Sequence, residues 1–226
     1  MCGRYKLTTP TGQIFETFRL TGARLNLRER FNIAPTQEAP VIRSTPTGRQ
    51  LAMMRWGMVP QWAPDTRSAA NAINARAETV AEKPTFRDAL QSRRCLIAAD
   101  GFYEWLTKGK IKQPHLFQLA DGGAFAFAGL WERWEKGETP LETFTIICTD
   151  ANPSVAAIHH RMPVILTPDQ WERWLDVTYD AAAVLPLLKS PSVVLTTTRV
   201  SQKLNKVDND DPSVLEAEPE KEPTLF

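Results

Sequence analysis

A succession of short apolar or alternating runs, each closed by Gly, Pro or Asp, constrains this chain more than any other feature: APVIRS, QLAMMRWGM, RRCLIAAD, GFYEWL, HLFQLA, GAFAFAGLW, TFTIICT, MPVILT and SVVLTTTRV. Segments of this length, rich in β-branched and aromatic residues and bounded by turn formers, read as strands. Helical patterns are fewer and fall at 12–20, 84–92, 153–159 and 168–176, the last continuing towards 188. Thr167 ahead of Pro168 and Asn152 ahead of Pro153 are good helix starts, because the capping oxygen accepts a first-turn N–H and proline lacks one that would go unpaired. Strands outnumber helices without regular alternation. The expected class is therefore α+β, a largely antiparallel sheet or open β-barrel-like core with a few flanking helices, rather than a doubly wound sheet.

At 226 residues and 42% hydrophobic content the chain can bury a sizeable core. A single domain over 2–217 is expected, followed by a disordered acidic tail over 218–226. No stretch approaches the ~20 apolar residues that span a bilayer, and no basic segment leads into an apolar run at the N-terminus. The expectation is a cytoplasmic monomer without membrane contact, nucleoid-associated if bacterial. The cysteines Cys2, Cys95 and Cys148 are odd in number and lack zinc-ligand spacing, which argues against a disulfide framework or a structural metal. Cys95 and Cys148 lie in apolar runs and read as buried, inert thiols. The formal charge is +1, yet residues 207–226 hold seven acids against Lys221. The body of the chain is therefore basic, which permits a polyanionic partner.

The chain opens MCGRY. Removal of Met1 would expose Cys2 as a 1,2-aminothiol, a pair no internal cysteine offers because internal nitrogens are non-basic amides. Such a pair captures aldehydes: the amine forms an imine and the sulfur closes it into a thiazolidine. With ordinary values of roughly 8 for the amine and about 8.5 for the thiol, modest tuning would make both reactive near neutral pH.

Further polar clusters interrupt the apolar pattern. In FNIAPTQEAP, Asn32 and Pro35 mark a rigid loop. RWGMVPQWAPD concentrates Trp56 and Trp62 in a proline-rich and exposed loop, where a ring packs its own loop or offers a stacking platform. NAINARAETV sets Asn74, Arg76 and Glu78 at every second position, on one face if extended, and an amide beside a guanidinium suits anion recognition. ADGFYEW offers Asp100, Glu104 and Trp105. A carboxylate flanked by Tyr103 and Trp105 and facing inward would be desolvated, its pKa raised, and suited to moving protons. AAIHHRMPVIL places His159, His160 and Arg161 at a helix-to-strand junction, with at most one histidine pointing into a site, and His115 stands alone in KQPHLF. No third ligand at a zinc spacing accompanies them, so neither metal nor cofactor is expected.

MCGRY, FNIAPTQ, RWGMVPQW, NARAET, RRCLIAADGFYEW, KQPHLF, IHHRMPVIL and VSQKLNKVDNDDP together resemble the ordered motifs of the SRAP family, the abasic-site processing proteins. The resemblance runs from Cys2 to about Glu216. It implies a thiazolidine crosslink between Cys2 and the ring-opened aldehyde of an abasic site in single-stranded DNA, shielding the lesion. It also implies crosslink reversal and release of the protein's own N-terminus, the source of a peptidase label. By motif match, Asn74 would orient the amine and the opened sugar, Glu104 would shuttle protons, and His159 would move the proton in ring opening and reversal, with His160 at the position one residue on. Arg76 and Arg161 would clamp phosphates, with Arg4 and Lys83 as weaker candidates, and Trp62, Pro35 and Met58 would wedge between strands. The replication machinery is a further partner the resemblance allows. Two other readings stand beside it: an N-terminal-nucleophile amidohydrolase using Cys2, and a non-enzymatic single-stranded nucleic-acid binding module.

Overall fold

A computed structural model describes residues 2–189 and 193–217. The segment 218–226, expected to be a disordered tail, lies outside the described residues, as does Met1. The strands in chain order are β1 (Tyr5–Leu7), β2 (Arg30–Ile33), β3 (Glu38–Thr45), β4 (Gly48–Trp56), β5 (Asn74–Arg76), β6 (Arg94–Ala99), β7 (Gly101–Lys108), β8 (Ile111–Gln118), β9 (Phe125–Trp134), β10 (Leu141–Asp150), β11 (Arg161–Pro163), β12 (Ile165–Leu166) and β13 (Thr196–Arg199). Five α-helices and four short 3-10 turns accompany them among the described residues, the α-helices being α1 (Thr11–Phe18), α2 (Arg87–Ser92), α3 (Pro153–Ala156), α4 (Pro168–Leu175) and α5 (Ala181–Val184). The class is α+β, as the run pattern predicts.

One sheet has the order β13-β8-β7-β1-β2. In the other, β10-β4-β3-β6-β9 forms a ring that closes because β9 also pairs with β10. Most pairings are antiparallel, with β10 running parallel to β4 and β5. Gly129 makes the closure sterically feasible. It lies opposite Cys95 of β6 on one side and Ile146 of β10 on the other. A Cβ there would fall 2.0 Å from Ile97 Cδ1 and 2.9 Å from the Thr145 carbonyl oxygen, so the two neighbouring strands approach β9 only because that residue has no side chain.

The caps at Thr167 and Asn152 form as expected. Thr167 and Gln170 make a reciprocal capping box, and the Asn152 side chain accepts from the Ser154 N–H at 3.0 Å. The helix expected to continue from 168 towards 188 stops at Leu175. Asp176 turns extended, its side chain accepts from the Thr178 N–H and hydroxyl, and Asp180 caps a separate α5. Short aspartates thus compete for the backbone and divide one apolar pattern into two elements. The RWGMVPQWAPD loop needs a second correction. Trp56 is fully buried at the end of β4, stacked on Phe144 across the parallel pairing with β10. Trp62 is the ring left 56% exposed.

Gly129→Ala should lower stability by about 1–3 kcal/mol, the usual cost of forcing atoms into a filled core. Urea denaturation should show this as a lower midpoint with an unchanged slope.

Candidate active site

Asp100, at the turn from β6 to β7, fastens the N-terminal strand. It is buried and accepts from Lys6 Nζ at 2.8 Å, from the Thr8 and Thr9 amides at 2.7 Å each, and from both threonine hydroxyls. Burial alone would raise its pKa, but the Lys6 ammonium and these donors outweigh that and leave it below the usual carboxylate value. Asp100 is therefore a structural anion, not a companion of Glu104 in proton transfer.

That anchorage holds Cys2 in the interior, its Sγ 3.7 Å from the Arg4 carbonyl oxygen. Tyr5 stands edge-on to Trp56 with ring centroids 5.3 Å apart, and the Trp56 indole N–H donates to the Ile73 carbonyl at 2.8 Å. The position of β1 is thereby coupled to the next residue, Asn74. Asn74 is 7% exposed, and neither its amide oxygen nor its amide nitrogen has a hydrogen-bond partner among the described residues. An unsatisfied buried polar group costs about 1–3 kcal/mol, a cost expected where a ligand supplies the missing partners.

Glu104, within β7, is 3% exposed, and burial pushes its carboxyl up to about 7. His159 Nε2 lies 3.9 Å from Glu104 Oε2. His159 Nδ1 lies 2.9 Å from both the amide and the carbonyl oxygen of Arg161, which fixes the ring and leaves Nε2 facing Glu104. Burial lowers the His159 pKa, and the charges of His160 and Arg161 add to that. Burial thus raises the carboxyl and lowers the imidazole, favouring the neutral form of each, so the carboxyl is suited to give a proton and the imidazole to take one. His160 is exposed and stacks on His159 at 4.5 Å, so one histidine of the pair faces the carboxyl. His115, isolated in its own sequence context, is the cross-strand partner of Glu104; only strand register could have revealed it.

The Cys2 thiol departs from expectation. Burial raises its pKa well above the ordinary value, and the neighbouring Cys148 and Glu104 raise it further. At neutral pH Cys2 is a thiol, not a thiolate. Cys148 and Cys95 are buried, as their apolar runs predict, and burial pushes Cys148 up to about 12.

The cations divide. Arg161 meets both oxygens of Glu78 at 2.7 and 2.9 Å, Asp150 Oδ1 at 2.7 Å and the Cys148 carbonyl at 2.8 Å, with its side chain 11% exposed. Two carboxylates already neutralise it, so it pins β11 to β10 and to the turn after β5 rather than standing open as a phosphate clamp. Glu78 lies beyond β5, so the alternation that sets Asn74 and Arg76 on one side ends before it. Arg76 is exposed and has no ion pair among the described residues. Arg4 donates from Nη1 to Asn32 Oδ1 and to the Leu204 carbonyl, both at 2.9 Å. Lys83 is exposed ahead of α2, and no described contact joins it to Glu104 or His159. Met58 is fully buried, which removes it as a wedge. Pro35 is half-buried beside Thr36, whose φ of 72° is strained for a β-branched residue. The Thr36 amide donates to the Trp56 carbonyl at 2.8 Å, so the Pro35 turn and the Trp62 loop flank one buried residue. A groove of about 670 Å³ runs from Glu104 and His159 past Arg4 and Trp105. Among the described residues no group of His, Cys, Asp or Glu side chains could hold a metal ion.

A two-sheet α+β domain that buries Cys2 near a Glu–His pair defines the class. The sequence matches SOS response associated peptidase (SRAP) over residues 1–207, and the chain belongs to that family. It is 38% identical over 223 residues to the abasic site processing protein YoqW of Bacillus subtilis, covering 96% of this chain and all of that one. To the abasic site processing protein HMCES of Gallus gallus it is 32% identical over 221 residues, covering 83% of this chain and 66% of that one. A crystal structure of a protein from Bacteroides thetaiotaomicron superposes with a TM-score of 0.86 at 27% identity, covering 96% of this chain and all of that one.

Glu104 should also act on stability. Its folded value of about 7 exceeds the roughly 4.3 of an unfolded chain, so below pH 4 the residue costs nothing through this linkage. The cost grows as pH rises towards 7 and is complete above it. Glu104→Gln should therefore raise the melting temperature at pH 8, and the gain should shrink as the measurement moves to pH 5.

Proposed function

We propose that the protein processes abasic sites in single-stranded DNA by forming a covalent thiazolidine through Cys2 once Met1 is removed. The observation that carries this reading is the burial of the Cys2 thiol near the Glu104–His159 pair, with the unpaired Asn74 amide coupled to the same strand. The names of the relatives support the substrate.

In the proposed reaction, the Cys2 amine adds to C1′ of the ring-opened sugar. Loss of water leaves an imine, and the thiol then adds across the C=N bond: sulfur bonds to C1′ and its proton ends on nitrogen. Protonating the ring oxygen of the closed sugar and the leaving hydroxyl requires an acid, which Glu104 supplies in its protonated form. His159 returns or removes the proton through Nε2. Asn74 offers a carbonyl to the amine and an N–H₂ to a sugar oxygen. Reversal runs the same transfers backward. The basic body, the exposed Arg76 and the half-buried Arg4 supply phosphate contacts, and Pro35 and Trp62 offer surfaces to a kinked strand.

The intact mass should rise, on incubation with abasic single-stranded DNA, by the oligonucleotide minus one water. Cys2→Ser should bind the strand without that stable adduct, and so should a preparation that retains Met1. Glu104→Gln should slow crosslinking by roughly 10² to 10⁴-fold and remove the ionisation near pH 7 from the rate profile. A normal adduct yield with Cys2→Ser would refute the mechanism.

The two arginines should separate. Arg76→Ala should reduce the salt slope of single-strand binding by about 0.7 without changing the melting temperature. Arg161→Ala should lower the melting temperature, because it leaves Glu78 and Asp150 facing each other without their cation.

A further inference from the structure

The groove that begins at Glu104 and His159 ends at the turn of the β7–β8 hairpin, where Lys110, Ile111 and Lys112 line it. All three are exposed, Ile111 to 56%. Neither lysine makes an ion pair among the described residues, although the chain carries nearly equal numbers of acids and bases. With Arg4 at its inner end, the groove has three cationic side chains, and Glu104 is its one acidic residue.

The hairpin is held in place. Trp105 Nε1 donates to Asn205 Oδ1 at 2.7 Å, and Asn205 Nδ2 reaches the Lys112 carbonyl at 3.4 Å. One amide thus ties both strands of the hairpin to the turn at Gln202–Asn205. Register sets Thr107 opposite Lys112, and Trp105, two residues back, shares that face. Lys110 in the turn and Lys112 on β8 both line the groove, and cations two residues apart on one held hairpin suit neighbouring charges on an extended polyanion. A point ligand would need them to converge. Ile111 between them is exposed and adds apolar surface to the groove.

We propose that the β7–β8 hairpin is a second contact surface for single-stranded DNA, on which Lys110 and Lys112 neutralise backbone phosphates of the strand flanking the reacting nucleotide on one side. The proposal rests on the reading that this strand occupies the Glu104–His159 end. Exposed lysines of a solvated hairpin with no partner would look similar in sequence. What distinguishes these is continuity with the site, the scarcity of acids in the groove and the clip that fixes the ledge.

The test is equilibrium binding to a single-stranded oligonucleotide whose abasic sugar is a tetrahydrofuran and so has no aldehyde. Lys110→Ala/Lys112→Ala should keep the wild-type melting temperature, lower the salt slope by about 1.4 and weaken binding on the order of tenfold at low salt. Lys110→Arg/Lys112→Arg should retain the wild-type slope, since the charge is kept. Oligonucleotides trimmed on the 5′ or the 3′ side should divide: trimming one side should abolish the difference between wild type and the alanine variant, and trimming the other should preserve it. An unchanged slope, or a difference that survives both trimmings, would overturn the hairpin surface. Wild-type crosslinking to a true abasic oligonucleotide separates the two failures. If wild type crosslinks while the hairpin variant keeps its slope, the hairpin proposal falls alone; if wild type neither binds nor crosslinks, both fall.

Discussion

The ion pair between Lys6 and Asp100 is the constraint on which the rest depends. A strand of three residues near a chain terminus frays by default, yet β1 is paired on both sides, between β7 and β2. Lys6 and Asp100 are both buried, and burying two charges is favourable only when their remaining donors and acceptors are satisfied. Asp100 meets that condition with two amides and two hydroxyls besides the ammonium. The chain can therefore turn from β1 into α1 without losing its grip on the sheet. Tyr5 on Trp56, Trp56 on Ile73 and the placing of Asn74 all follow from a terminus that cannot move.

Around that anchor the molecule concentrates features that cost stability. Asn74 has an unsatisfied amide, Glu104 sits where its charge is disfavoured, and Thr36 holds a left-handed backbone. These departures from local rules fall close to one another, although others, such as the left-handed Arg19 after α1 and the unpaired Ser68 hydroxyl, lie elsewhere. Sites that must bind something pay in this way, because groups arranged for a ligand are poorly arranged for its absence. Arg161 shows the opposite treatment: Glu78 and Asp150 already complete its surroundings, and it serves to hold His159 by its backbone.

Much of this was legible in sequence because it depends on local chemistry. The strands β3, β4 and β6–β10 follow apolar runs, the caps at Thr167 and Asn152 follow from oxygen and proline placement, and Glu104 between two aromatics is pushed up by burial as a carboxyl facing inward should be. What was not legible depends on distant pairing. Asn32 looks like part of a turn, yet it is a buried hub on β2, accepting from Arg4 and donating to the carbonyls of Leu204, Lys206 and Asn209. Two motifs near the N-terminus and one more than 170 residues further on meet at one amide, and no periodicity within any of them records it. Trp56 reads as a loop residue from its prolines and becomes core because β10 runs parallel beside it. Arg161 reads as an open cation because its neutralising Glu78 lies 83 residues away.

Burial of the thiol also orders the proposed chemistry. An exposed aminothiol would offer a fraction of thiolate near neutral pH, open to oxidation and to adventitious electrophiles. Here the sulfur keeps its proton, since the surroundings that hold Cys2 in place also disfavour its anion. A neutral thiol is a poor first nucleophile towards an aldehyde, so the amine must act first. Once the imine forms, its nitrogen is basic enough to take the proton the thiol must lose, and ring closure then needs no separated charge in a low-dielectric interior. The same arrangement would favour permanence in the proposed product. In the proposed reaction the thiazolidine would be neutral and would occupy the place of a buried thiol, and reopening it would require a proton delivered to that ring by the Glu104–His159 pair.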